Sequence, residues 1–162
     1  MLDIPSITGI VAAVGVIIGV TFTVLELRNL VKARKTDLTL RLHSAWTTEG
    51  MIELWLKIWN LEFKDYTDFK ERYGSWLSEN PEQIALTAVI NHFETVGYLM
   101  QRKMIDHGLV DLMPVSMTWK KLKPLIEGFR EQYDNPRIYE MIEYAHNEVE
   151  KYREQRLQQI QQ

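Results

Sequence analysis

From Ile4 to Leu25 the chain runs 22 residues without a charged side chain, and the next sixteen carry Arg28, Lys32, Arg34, Lys35 and Arg41. A helix rises about 1.5 Å per residue, so such a run reaches about 33 Å, close to the roughly 30 Å hydrocarbon thickness of a bilayer. The expectation is a membrane anchor. A secretory signal peptide is the rival, since it too starts with a short polar segment and an apolar run. Two details go against it. The segment before the run holds only Asp3 as a charged side chain, where a signal peptide wants basic residues. The run is followed by Glu26-Leu27-Arg28, which is no small-residue cleavage site. Basic residues flanking a span stay on the cytoplasmic side, so the expected topology is single-pass in the cell membrane, with the N-terminus outside and the C-terminal domain cytoplasmic.

This anchor fixes how the remainder is read. The residues after Leu25 suffice for one compact domain with a real core. Charge is polarised along them. Residues 26–41 hold five basic and two acidic side chains, whereas 42–162 hold 14 basic and 19 acidic. The basic end, with Arg28, Lys32, Arg34 and Lys35, suits anionic lipid headgroups, at about 1 kcal/mol per residue near the surface. The acidic remainder is a poor binder of phosphate backbones, so no nucleic-acid partner is expected. With no cysteine in the chain, disulfides, thiol catalysis and Cys-ligated metal centres are excluded.

No stretch alternates as a strand would, and the predicted fold class is all-α: one N-terminal transmembrane helix continuing into a cytoplasmic helical bundle. The expected organisation is a short external N-terminus at 1–3, a transmembrane helix at 4–25 and a basic juxtamembrane helix at 26–48. A helical domain at 49–155 and a polar tail at 156–162 complete it. The first helix should persist to about Trp46, with Gly50 marking a break. Met51 to Leu61 places Ile52, Trp55 and Trp59 on one face, expected to be core. Ser78-Glu79-Asn80-Pro81-Glu82-Gln83 reads as a helix start, with Asn80 capping, Pro81 at the first helical position and Gln83 reaching back. The helix that follows, to about Arg102, carries Ile84, Leu86, Val89, Ile90, Phe93, Val96 and Leu99 and should be the centre of the domain. Gly108 and Pro114 bracket a linking element. Val115 to about Tyr133 is helical, with Pro124 expected to kink or divide it. Asp134-Asn135-Pro136 repeats the cap-and-proline pattern, so the last helix should run from Pro136 and end in a solvated, frayed Gln-rich tail.

Three residue constellations have chemical potential. Thr8, Ala12, Gly15, Gly19, Thr23 and Glu26 follow at steps of three and four, forming one stripe of the anchor in which Gly15 and Gly19 are a small-xxx-small pair. In lipid such residues let backbones approach, which predicts a packing seam between copies. Alternatively, several copies surround an aqueous path lined by Thr8, Thr23 and Glu26. Thr87, Asn91, Glu94, Tyr98 and Arg102 form a narrow polar stripe on the central helix, either a solvated face or a buried, satisfied network. Arg102 and His107 fit the Arg-x4-His spacing of helical HEPN-type ribonucleases, in which His serves as acid or base and Arg binds phosphate. They equally suit a helix end, where the dipole favours cations. Glu143 and His146 have the step of a di-iron ligand pair, but no other His has a Glu three residues before it, so no metal site and no cofactor is predicted.

Asn91-His92-Phe93-Glu94-Thr95-Val96-Gly97-Tyr98-Leu99, then Met104-Ile105-Asp106, Trp119-Lys120-Lys121-Leu122-Lys123-Pro124 and Asn135-Pro136, resemble an uncharacterised family of small prokaryotic membrane proteins. That family is known only as a domain of unknown function, family 4760. The resemblance implies one N-terminal transmembrane helix with a cytoplasmic helical domain, and implies no activity. The expected function is a homo-oligomer assembling through the membrane helix and helical domain around a pore or channel, by analogy of layout with a small CRISPR-associated membrane protein. The expected partners are the lipid bilayer and the protein's own copies. The alternatives are a tether that recruits a cytoplasmic protein and a membrane-anchored ribonuclease built on Arg102 and His107.

Overall fold

The computed structural model describes residues 4–75 and 80–161, with side chains described at residue 9 and from residue 12 onward. Ser78 and Glu79, and the side chain of Thr8, lie outside the described residues. Every regular element among them is a helix: α1 (Ile4–Trp46), α2 (Glu49–Trp59), α3 (Tyr66–Tyr73), α4 (Pro81–Gln101), α5 (His107–Val110), α6 (Val115–Gln132) and α7 (Glu140–Ile160). Two compact units form, Met1–Asp37 and Leu38–Gln162.

In the first unit, α1 is exposed at every position from Ala12 to Arg34, although this stretch includes Val16, Ile17, Ile18 and Phe22, each about two-thirds exposed. A helix that is apolar all round belongs in a core or a membrane. It is the one described helix long and apolar enough to span a bilayer.

The second unit is built around α4. Asn80 starts it, its side chain accepting from the Gln83 N–H at 2.8 Å with Pro81 in the first turn. The Gln83 side chain does not return to Asn80; its amide donates to the Gly74 carbonyl at 3.3 Å. Ala85, Leu86, Val89, Ile90, Phe93, Val96 and Met100 are fully buried along α4, facing α2 on one side and α7 on the other. Ile84, expected in the core, is exposed. The C-terminal end of α1 joins this core, with Trp46 buried against His92 and Phe93 at ring separations of 5.5 and 4.8 Å.

Several boundaries differ from expectation. The break after α1 falls at Thr47–Thr48, not Gly50, because both threonine hydroxyls donate to last-turn carbonyls, Ser44 and Ala45. On α2 the buried residue is Ile58, with Met51, Leu54 and Trp55 partly buried; Ile52 and Trp59 face outward. Tyr66 and Phe69 are core residues of α3, whose N-cap Asp65 accepts from Asp68 N–H at 2.9 Å. Pro124 does not divide α6. Leu122, Leu125 and Ile126 around it are fully buried, and the carbonyl deprived of its donor belongs to Lys120, an exposed residue that water can reach.

The largest correction concerns Asp134-Asn135-Pro136, which ends α6 and does not begin α7. Asp134 takes φ 45°, its N–H donates to Glu131 and that of Asn135 to Arg130. This is a Schellman stop, with a proline after it. The end of α4 has the same geometry, with Lys103 at φ 56° and the Lys103 and Met104 N–H groups on Met100 and Leu99. α7 begins four residues later than Pro136 and stays helical through Ile160, so the glutamine-rich end, over its described residues, is exposed and helical up to Ile160.

Candidate functional site

The described members of the stripe expected on the apolar helix lie on the surface of α1. Ala12, Gly15, Gly19, Thr23 and Glu26 are all exposed, and a Cβ built at Gly15 or Gly19 meets nothing within 4 Å. The glycines therefore leave open, shallow places on the helix surface. On this stripe Thr23 Oγ1 donates to the Gly19 carbonyl at 2.8 Å; Thr21, on the opposite side of the helix, makes the same bond to the Ile17 carbonyl at 2.8 Å. Arg28, Lys32 and Arg34 follow in exposed positions and Lys35 is partly covered.

The polar stripe of α4 divides. Thr87, Asn91, Tyr98 and Arg102 are exposed, Arg102 lying over the Tyr98 ring at 5.4 Å. Glu94 alone turns inward. Its carboxylate accepts from the Ile142 N–H at 2.7 Å, one of the first-turn donors of α7 that has no partner within its own helix. The N-cap of α7, Tyr139, takes φ 54° and makes no side-chain cap, so Glu94 supplies the missing cap from another helix. Burial pushes the Glu94 pKa up from its ordinary value, with the nearby Glu140 carboxylate adding to it. The Ile142 and Met141 N–H groups and Arg130 pull the other way without reversing the direction.

Arg130 completes this arrangement, and sequence reasoning missed it. Its guanidinium donates to the Ile138 carbonyl at 2.8 Å, to the Tyr139 carbonyl at 3.2 Å and to Glu143 at 2.7 Å, and lies 5.8 Å from the centre of the Trp119 ring. Two of its three acceptors are backbone, so no residue pattern announces them. Gly97 could have been noticed, because it stands in a run of large side chains. A Cβ there would overlap the Met141 carbonyl, so its absence lets α7 approach α4 closely enough for Glu94 to reach. The cluster fixes the start of α7 and has a structural role.

Arg102 and His107 do not face a common partner. His107 stands 3.8 Å from Glu148 on α7, in a shallow surface cleft with Lys151, Tyr152 and Gln155, while Arg102 rests on Tyr98. Glu143 is held by Arg130, and His146 stacks on Trp119 at 6.4 Å. Among the described residues no group of three or more His, Asp or Glu could hold a metal ion.

A family model described as domain of unknown function (DUF4760) matches residues 10–149. The chain belongs to this family. The match takes in both the apolar α1 from residue 10 and the helical unit through most of α7, so the DUF4760 domain comprises the two together. No curated protein and no solved structure matches the chain.

Proposed function

We propose that this DUF4760 protein is a single-pass membrane protein whose apolar helix packs against the same helix of other copies, holding helical domains together at the cytoplasmic face. The observation that carries the proposal is the exposure of every α1 side chain from Ala12 to Arg34 together with the open faces of Gly15 and Gly19. An apolar helix left bare by its own chain requires lipid or another helix to cover it, and small residues four apart favour another helix on that side. Arg28, Lys32, Arg34 and Lys35 set the orientation, with the residues that follow in the cytoplasm.

A packed seam and a pore lining would draw on the same stripe of α1. Energy transfer between donor- and acceptor-labelled full-length copies in liposomes tests the proposal. Transfer should persist when the lipid is diluted and fall to the random-encounter level in Gly15→Leu/Gly19→Leu. Transfer unchanged by that substitution would remove the seam from this face. Ion leakage from the same liposomes that disappears with the substitution would turn the seam into a lining.

A further inference from the structure

We infer that Arg28 and Lys32, with the apolar groove beside them, hold the phosphate and upper acyl chain of an anionic phospholipid on the side of α1 turned away from the seam. Both side chains are exposed. Among the described residues neither has an ion pair, whereas Lys57, Arg130 and Arg153 of the second unit are paired with Glu82, Glu143 and Asp111. No carboxylate stands three or four residues from either one along the helix. Arg28 and Lys32 are themselves four residues apart, and like charges at that spacing destabilise a helix unless an anion lies between them.

The helical period separates these two cations from their basic neighbours. At about 3.6 residues per turn, the steps from Gly19 to Arg28 and from Thr23 to Lys32 are each about two and a half turns. Arg28 and Lys32 therefore stand opposite the glycine stripe, and they face lipid when that stripe faces another helix. Arg34 differs, being about three turns from Thr23, on the stripe's own side, with Asp37 one turn further on. Beside Arg28 an open groove of about 300 Å³ is lined by Val24, Leu27 and Val31, all exposed. Val24 and Leu27 lie on the side of the apolar run, where the acyl chain of a lipid held at Arg28 extends. A planar guanidinium binds phosphate through two parallel hydrogen bonds, and the Lys32 ammonium adds a point charge. A free phosphate would leave the groove empty, and a zwitterionic headgroup brings an ammonium of its own that the two cations repel. An anionic phospholipid satisfies both the cations and the groove. The inference rests on the bilayer placement proposed above.

Lipid retention tests it. Full-length protein is reconstituted in vesicles of phosphatidylcholine with a minor share of phosphatidylglycerol, extracted in a detergent mild enough to leave bound lipid in place, and analysed for the lipid it carries. The native chain and Arg34→Gln should retain phosphatidylglycerol over phosphatidylcholine at about five times the vesicle ratio, the factor expected from one cation at the surface. Arg28→Gln/Lys32→Gln, which keeps Arg34, Lys35 and Arg41 to hold the orientation, should fall to the vesicle ratio. Enrichment that survives in this double variant, or that is lost equally in Arg34→Gln, would overturn the site in favour of charge spread along the whole basic segment. Dissolved glycerol 1-phosphate in millimolar excess should leave the retained lipid in place; displacement would assign the two cations to phosphate alone and overturn the lipid as occupant. An alkaline carbonate wash tells the two readings apart. A native chain stripped from the vesicles by the wash would overturn the bilayer placement, whereas a chain that stays with them yet carries lipid at the vesicle ratio would overturn only the phospholipid site.

Discussion

Substitutions at Glu94 should separate its hydrogen bond from its charge. Glu94→Ala removes the acceptor of the Ile142 N–H, a donor in the first turn of α7 next to a fully buried side chain. Leaving such a group without a partner costs about 1–3 kcal/mol. Loss of a carboxylate at the positive end of a helix adds about 0.5 kcal/mol, and relief of the buried charge offsets part of this. The expected destabilisation is about 2 kcal/mol, or roughly an 8 °C fall in Tm for a unit of this size. Glu94→Gln keeps an oxygen where the Ile142 N–H needs it and carries no charge, so it should match or exceed the native protein at pH 7. Because the folded pKa of Glu94 is raised above its unfolded value by burial, its contribution is fully present below the unfolded carboxylate value of about 4.3 and declines as pH rises through the folded value. The advantage of Gln over Glu should therefore shrink as pH is lowered toward 4. Thermal unfolding of the full chain in mild detergent, followed by tryptophan emission at several pH values, measures all three variants. Equal losses for Gln and Ala at pH 7, or a Gln advantage that grows in acid, would refute the assignment of Glu94 as an acceptor cap with a burial-raised pKa.

Other consequences follow from single positions. Gly97→Ala should destabilise by about 1–3 kcal/mol in the same melt, since its Cβ meets the Met141 carbonyl. Gly50→Ala, where a Cβ meets nothing within 4 Å, should be neutral or stabilise by about 0.5–1 kcal/mol. His92 is packed against Trp46 and its pKa is lowered by burial; its stabilising contribution is present above the unfolded value of about 6.5 and is lost as pH falls through the folded one. His92→Gln should accordingly flatten the loss of stability between pH 7 and 5, and an unchanged slope would assign that loss to other groups.

What was legible in the sequence had local causes. Asn80-Pro81 marks the start of α4 because the cap and the proline act within one turn, and the long apolar helix α1 is legible because length and composition are properties of one continuous segment. Asp134-Asn135-Pro136 was misleading because a polar residue followed by proline suits a helix end as well as a beginning. The decision lies in the left-handed turn at Asp134, which is made as the chain folds back toward α7. On α2 the helical period grouped Ile52, Trp55 and Trp59, but the period does not say which side the neighbours cover, and the covered side is that of Ile58. Tyr66 and Phe69 were too few, in too polar a stretch, to announce α3. Arg130 left no pattern at all, since it works on backbone carbonyls. In α1, the common face of Ala12, Gly15, Gly19, Thr23 and Glu26 follows from the helical period alone, because one helix on its own sets which residues share a face.

The central claim is that copies of the chain associate through α1, and the mass of the extracted particle tests it most directly. Full-length protein taken from membranes in a mild detergent should give, by light scattering with the detergent contribution subtracted, a protein mass of at least twice the 19.1 kDa of one chain, falling toward 19.1 kDa in Gly15→Leu/Gly19→Leu. A native particle of 19.1 kDa across the accessible concentration range would contradict it.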